Sequence, residues 1–192
     1  MNKRQLQREG TLGLIYETVN QLVLEKGFDD MRIQDICERA GISTGAFYHY
    51  FRSKQDILFE RYQMTGRFLQ ELAAEAETME PLEGVCFLIR EMTEYTRSRE
   101  PEVLRSYVES SFRLQGEWQK RCPMPTLQRT AEELLRPALE PERAELLLEA
   151  VDLFHCGVVH KQCASLGRYL AENQPEDRFC RWLEGYSKKR EA

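Results

Sequence analysis

The stretch that decides the fold is AGISTGAFYHYFRSK, residues 40–54. Gly41 is a residue type that ends helices, and Ser43, two positions later, is a favoured N-cap for a new helix. The stretch therefore predicts a tight turn and then a short helix over about 44–50. Just before it, four small or apolar residues have the spacing of one buried helix face: Ile33, Ile36, Cys37 and Ala40. Two short helices joined by such a turn are typical of a helix-turn-helix.

The short helix is expected to divide its residues between two faces. Phe47 and Phe51 lie four positions apart, so both can point into a core. Thr44 and Gly45 at its start are small enough to let a helix approach the base edges in the major groove of DNA. Tyr48 is expected to face outward. These residues favour a DNA-reading helix, although the same pattern also suits a helical hairpin in an ordinary core.

Together with Lys26-Gly27-Phe28, this stretch closely resembles the N-terminal DNA-binding domain of TetR-family transcriptional regulators, over about residues 10–60. The resemblance implies a homodimer with about nine helices per subunit, a ligand-responsive C-terminal domain and, usually, repression. It also implies DNA contacts at the matching positions, to bases or phosphates: Arg32, Ser43, Thr44, Gly45, Tyr48, His49, Tyr50 and Lys54.

Two positions depart from the family pattern. Arg32 stands where the family often has Thr or Ser, so it can contact phosphate but cannot cap the second helix in the usual way. Cys37 stands where the family usually has Ala, and Cys is only slightly larger. Neither departure argues against DNA binding.

The composition is that of a folded soluble protein, with 192 residues, 42% hydrophobic and 31% charged. No stretch approaches the roughly 18 apolar residues that a membrane span needs. Charges throughout residues 1–30 argue against a secretion signal. The six cysteines form no CxxC pair, so we expect reduced thiols and a cytoplasmic protein.

The net charge of −5 is unevenly distributed. Residues 1–54 hold 8 Lys/Arg and 7 Asp/Glu, whereas residues 55–192 hold 19 and 25. An acidic protein with a less acidic first quarter is not a bulk nucleic-acid binder, but it can contain one small DNA-reading module.

Periodicity predicts an all-α fold. We expect a helix-turn-helix DNA-binding domain over 1–54 and a larger effector-binding and dimerisation domain over 55–192. The predicted helices are about 6–26, 33–40, 44–50, 53–78, 82–98, 102–114, 126–139, 141–170 and 176–186.

The predicted helix over 141–170 carries two apolar stripes, which indicates burial on both sides. The last helix adds a further apolar face. These faces predict a dimer interface, unless one large domain surrounds the long helix; its candidates are Val151, Phe154, Val158, Phe179, Trp182, Leu183 and Tyr186.

The central helices are rich in aromatic and sulfur-containing residues. Such residues are usually core, and in this family they also line an effector cavity. The candidate lining residues, to which we add one histidine, are Phe59, Tyr62, Phe87, Met92, Tyr95, Tyr107, Phe112, Trp118, Met124 and His155.

Cys156, His160 and Cys163 share one helix face, a spacing that suits a metal site or a redox-sensitive thiol pair as well as close packing. No catalytic motif occurs, so we expect neither an enzyme nor a cofactor. The sequence thus favours a regulator that binds an operator as a dimer and releases it on binding a mostly apolar effector. A thiol- or metal-responsive regulator of the same fold, and a helical adaptor that does not use its DNA motif, remain as alternatives.

Overall fold

The computed structural model describes residues 3–109 and 127–188, without the side chains of residues 3–5, 62, 187 and 188. Within these ranges the chain is helical and contains no strand, which confirms the all-α prediction there. The helices are α1 (Lys3–Asp30), α2 (Ile33–Ala40), α3 (Thr44–Tyr50), α4 (Lys54–Ala76), α5 (Pro81–Arg97), α6 (described over residues 101–109), α7 (Leu127–Leu135), α8 (Pro141–Ala164), α9 (Arg168–Glu172) and α10 (Pro175–Lys188).

The helix ends in the N-terminal part follow the local signals of the sequence. Both α2 and α3 have the predicted bounds. Helix α1 is interrupted at the predicted stop, Gly27, where the backbone adopts φ 79° and ψ 162°. A φ of this sign is strained for other residues, so glycine allows the chain to leave the helical path here.

The predicted single helix over 141–170 is wrong. Helix α8 ends at Ala164, and α9 starts at Arg168. Between them Leu166 and Gly167 adopt left-handed backbone angles, with φ 51° and 87°. A Cβ atom on Gly167 would lie 2.6 Å from the Cγ atom of Pro101, so glycine is also required by space.

The chain folds as two compact units. The described residues of the first unit are 3–62 and 102–109, and those of the second are 63–101 and 127–188. In the first unit α1 packs on α2, and α2 packs on α3. The domain boundary after residue 54 stays a prediction, while packing groups residues 55–62 with the first unit.

The second unit has one hydrophobic core. Helix α5 packs against α7, α8 and α10, and α8 also packs against α7 and α10. The buried core residues come from five helices: Leu69, Leu72, Ala76, Val85, Cys86, Leu88, Ile89, Met92, Leu127, Ala131, Leu135, Leu147, Leu148, Val151, Cys180 and Leu183.

Helices α4 and α5 approach each other closely at Gly84. A Cβ atom on Gly84 would lie 2.8 Å from the carbonyl oxygen of Ala76. Gly84→Ala should therefore lower the free energy of unfolding by about 1–3 kcal/mol, because the backbone must move. Urea denaturation measures this change.

The control is Gly13→Ala in α1, where an added Cβ has no neighbour within 4 Å. It should stabilise the protein by about 0.5–1 kcal/mol, the usual gain from replacing a helical glycine. Equal stabilisation by both substitutions would contradict the close packing at Gly84.

Candidate nucleic-acid interface

A tight turn joins α2 to α3. Gly41 is left-handed, with φ 63°, and the N–H of Ile42 donates to the carbonyl oxygen of Cys37 at 3.0 Å. The Ser43 hydroxyl then accepts a hydrogen bond from the Ala46 N–H at 3.0 Å. This N-cap satisfies one of the free donors of the new helix and fixes the start of α3.

The two faces of α3 have the predicted environments. Phe47 and Phe51 are 0% and 1% exposed, and their ring centroids lie 5.5 Å apart. The ring of Tyr16 in α1 meets Phe51 edge-on at 6.0 Å. This confirms that both phenylalanines point inward. The predicted contact residues on the other face are exposed: Thr44, Gly45, Tyr48 and His49.

The start of α2 is held by a carboxylate. Asp35 accepts hydrogen bonds from the Arg32 backbone N–H at 2.8 Å and from the Lys26 ammonium at 2.7 Å. The hydrogen bond from Lys26 is the main reason that the pKa of Asp35 lies below its usual range. Because Asp35 caps the helix, the exposed Arg32 guanidinium is not needed for that purpose.

A cleft of about 330 Å³ lies at the starts of α2 and α4. Its lining contains three of the predicted DNA-contact residues and four polar residues that were not predicted as contacts. The lining residues are Met31, Arg32, Ile33, Gln34, Tyr48, Arg52, Ser53, Lys54 and Gln55. The four missed polar residues stand at or next to helix starts, which is the sequence signal that could have found them: Gln34, Arg52, Ser53 and Gln55.

The cleft has the chemistry of an anion site. At the start of α4 the Ser53 hydroxyl accepts from the Asp56 N–H at 3.3 Å, and the Asp56 carboxylate accepts from the Arg52 N–H at 2.9 Å. The N-terminal ends of α2 and α4 thus face the cleft beside two arginines, Arg32 and Arg52. Helix N-termini and arginine side chains both favour phosphate groups.

Lys54 has other partners than the predicted phosphate. Its ammonium donates to the carbonyl oxygens of Phe28, Asp29 and Met31, at 2.8, 2.8 and 2.9 Å. The nitrogen also lies 4.9 Å from the centre of the Phe28 ring. In the free protein the ammonium therefore binds carbonyl oxygens at the end of α1 and just after it, and its contact with a DNA phosphate stays a prediction.

Of the remaining predicted DNA contacts, Ser43 serves as the N-cap, and Tyr50 is half-buried. The rings of Tyr50 and His49 meet edge-on at 5.5 Å.

The candidate effector residues fall in both units. Phe59 and Tyr107 belong to the first unit, and Phe87, Met92, Tyr95 and His155 to the second. Phe112, Trp118, Met124 and the side chain of Tyr62 lie outside the described residues.

Met92 is part of the buried core of the second unit, and burial lowers the pKa of His155. Tyr95 contacts three neighbouring side chains. Its ring stacks on Phe68 at 5.1 Å, its hydroxyl lies 2.9 Å from that of Thr65, and the Arg99 guanidinium lies 4.0 Å from the ring centre.

The candidate interface residues separate into two groups. Val151, Val158 and Leu183 are buried within the chain itself, and their place in a dimer interface stays a prediction. The aromatic candidates instead form a stacked row along α8 and α10. Centroid distances are 4.2 Å for Phe154–Phe179, 5.6 Å for Phe179–Trp182 and 5.6 Å for Trp182–Tyr186.

Three large side chains on α8 and α10 are exposed: Leu146 by 45%, Leu153 by 65% and Trp182, a member of the row, by 45%. The two leucines were missed because they lie on neither of the two apolar stripes of the predicted helix.

The sequence left a metal site or a thiol pair open at Cys156, His160 and Cys163. In the described ranges, no group of three or more His, Cys, Asp or Glu side chains could hold a metal ion, and these ranges include Cys156, His160 and Cys163. Cys156 is exposed whereas Cys163 is buried, and partial burial raises the pKa of the Cys156 thiol. None of the helices in this part of the chain is long and apolar enough to cross a membrane.

Comparison with known proteins agrees with this geometry. The family model "Bacterial regulatory proteins, tetR family" matches residues 15–60, which contain α2, the turn and α3. A crystal structure of a transcriptional regulator (TerR/AcrR family) from Aquifex aeolicus VF5 superposes with a TM-score of 0.62 at 22% identity. It covers 92% of this chain and 98% of that one. This likeness shows that the fold is shared.

Two relatives match about a third of the chain. The uncharacterized HTH-type transcriptional regulator YwcC of Bacillus subtilis (strain 168) is 35% identical over 71 residues, 35% of this chain and 32% of YwcC. The HTH-type transcriptional repressor NemR of Escherichia coli (strain K12) is 36% identical over 64 residues, 31% of this chain and 32% of NemR. The matches thus span about a third of these relatives.

Helices α2 and α3, with the turn between them, form a helix-turn-helix. Over residues 15–60 the chain is similar to the tetR family of bacterial regulatory proteins.

Proposed function

We propose that the protein is a repressor that binds a near-palindromic DNA operator as a homodimer and releases it on binding a small, mostly apolar effector. The observation that carries the DNA-binding part is the orientation of α3. Both phenylalanines are buried, while Thr44, Gly45 and Tyr48 are exposed beside a cleft that holds two arginines. A relative whose name describes it as a repressor supports repression.

The two parts of this surface have different roles in the proposal. Thr44, Gly45 and Tyr48 face base edges in the major groove and select the sequence. Arg32 and Arg52, with the starts of α2 and α4, bind phosphates and set the register of the protein on the duplex.

Gly45 allows a test that separates DNA contact from folding. A Cβ added at Gly45 would have the Ser43 Oγ as its nearest neighbour, at 3.9 Å, so the free protein has room for it. Gly45→Ala should keep or raise stability, by up to about 1 kcal/mol. It should weaken operator binding at least tenfold, because the methyl group blocks close approach to the bases.

The operator is first selected from a random duplex library with the wild-type chain, and binding is measured by fluorescence anisotropy. Gly13→Ala is the control, since it should change stability without changing affinity. A Gly45→Ala variant that binds the selected duplex with wild-type affinity would refute the proposed orientation of α3.

The exposed part of α8 and α10 supports the homodimer. Leu146 and Leu153 on α8 and Trp182 in the stacked aromatic row would each leave an exposed apolar side chain in water. Apolar area of this kind marks interaction surfaces. A second copy of the same chain fits best, because two recognition helices of a dimer can meet successive major grooves about 34 Å apart.

Leu153→Glu and Trp182→Glu should each produce monomers, because association would bury a like-charged pair in an apolar contact. Sedimentation velocity measures the oligomeric state, and specific operator binding should be lost with the dimer. Leu24→Glu in α1, at a side chain exposed by 48%, is the matched control and should leave the dimer intact. Monomers with undiminished operator affinity would disprove this coupling.

The effector part of the proposal rests on Tyr95 and its neighbours. Phe68, Tyr95 and Arg99 place two stacked rings beside a guanidinium in the second unit. Aromatic surfaces of this kind favour flat or apolar ligands. Such a ligand releases DNA only if it binds the non-DNA-binding state more tightly.

Titration with a panel of fatty acids and planar aromatic compounds should identify at least one that weakens operator binding 5–150-fold, the usual allosteric range. Tyr95→Leu should reduce the apparent affinity of that compound, whereas Tyr169→Leu, a tyrosine change in α9, should not. If no compound releases DNA and peroxide does, the effector proposal fails. The thiol alternative at Cys156 and Cys163 would then replace it.

A further inference from the structure

Lys54 is the first residue of α4, and its ammonium reaches back to the end of α1. The three acceptors are backbone carbonyl oxygens within four consecutive residues, Phe28 to Met31, all within 2.9 Å. An ammonium group has three N–H donors. Each donor therefore has an acceptor inside the protein, and the positive charge lies beside three carbonyl groups just after the break at Gly27.

The location of these carbonyls matters for the cleft. Arg32, the residue before α2, directly follows the last of them. Arg52 and Ser53, at the start of α4, directly precede Lys54. The ammonium thus ties together the two chain segments that carry the arginines and helix starts of the cleft.

We propose that Lys54 is a positioning residue that fixes the two phosphate-binding helix starts relative to each other and does not itself neutralise a DNA phosphate. This rests on the proposed operator binding. Lys54 raises the affinity for DNA by positioning the helix starts, so no counterion is released at Lys54 itself. A direct phosphate ligand would contribute about one unit to the slope of log affinity against log salt concentration.

The test uses the full chain and a duplex selected from a random library, with affinities measured at about 50 to 300 mM KCl. Lys54→Met keeps the unbranched stem and removes the ammonium. It should weaken binding at least tenfold at every salt concentration, with an unchanged slope. Arg52→Met, at an exposed residue of the same cleft, is the contrasting variant and should lower the slope by about one unit.

Lys54→Arg separates charge from geometry. A planar guanidinium cannot direct three N–H groups to the same three carbonyls. The positioning role therefore predicts that Lys54→Arg remains weakened, while a phosphate ligand would be restored or strengthened by arginine. Circular dichroism at the assay temperature shows that each variant is folded, so an affinity loss does not reflect unfolded protein.

A measurement on the wild-type chain does not depend on any variant folding. The Lys54 ammonium protons should exchange slowly with water by NMR, and their resonances should stay in place when the duplex is added. A shift on DNA addition, a lower slope for Lys54→Met, or wild-type affinity of Lys54→Met or Lys54→Arg would each overturn the positioning role. A wild-type chain that enriches no duplex would instead overturn the proposed operator binding itself.

Discussion

The orientation of α3 depends on the burial of Phe47 and Phe51. Helix α3 has only seven residues, and a helix of this length is not stable alone in water. Each buried ring contributes about 2–3 kcal/mol of burial free energy. Because the rings are four positions apart, burying both also fixes the rotation of the helix about its axis. A shift of the pair by one position would turn the exposed face by about 100°.

Polar groups at helix ends then place α2 and α4 around this fixed helix. Asp35 holds the start of α2 through the Arg32 N–H, and Asp56 accepts from the Arg52 N–H at the start of α4. The Arg39 guanidinium binds both carboxylate oxygens of Glu25, which ties α2 to α1. These contacts are exposed, and exposed ion pairs add little stability. Their effect is on geometry, since they aim helix ends and arginines at one cleft.

The bounds of α2 and α3 were predictable because local and periodic signals coincide there. Gly41 and Ser43 mark the turn, and the apolar spacing continues on both sides of it. The partners of Lys54 were not predictable, since they are backbone carbonyls 23 to 26 positions away and a carbonyl leaves no mark in a sequence. The break after α8 involves Leu166, whose residue type gives no sign of a left-handed backbone.

Periodicity also could not separate the core of the protomer from a partner surface. Val151 and Leu183 fit an apolar stripe, and so does Trp182, yet only Trp182 is exposed. The pattern records which positions are apolar and not which neighbouring element covers them. Only packing within the second unit distinguishes these residues. Because of that packing, the proposed interface is built on Leu146, Leu153 and the aromatic row.

The charge distribution bears on the proposed binding of an operator by two copies. The first 54 residues are nearly neutral, and the remaining chain carries six more acidic than basic side chains. One copy would therefore gain little from the counterion release that drives non-specific binding. The proposed dimer would double the base and phosphate contacts, and its second domain would bind at the high effective concentration set by the first. Weak general attraction combined with paired contacts would favour duplexes with two correctly spaced half-sites over other DNA.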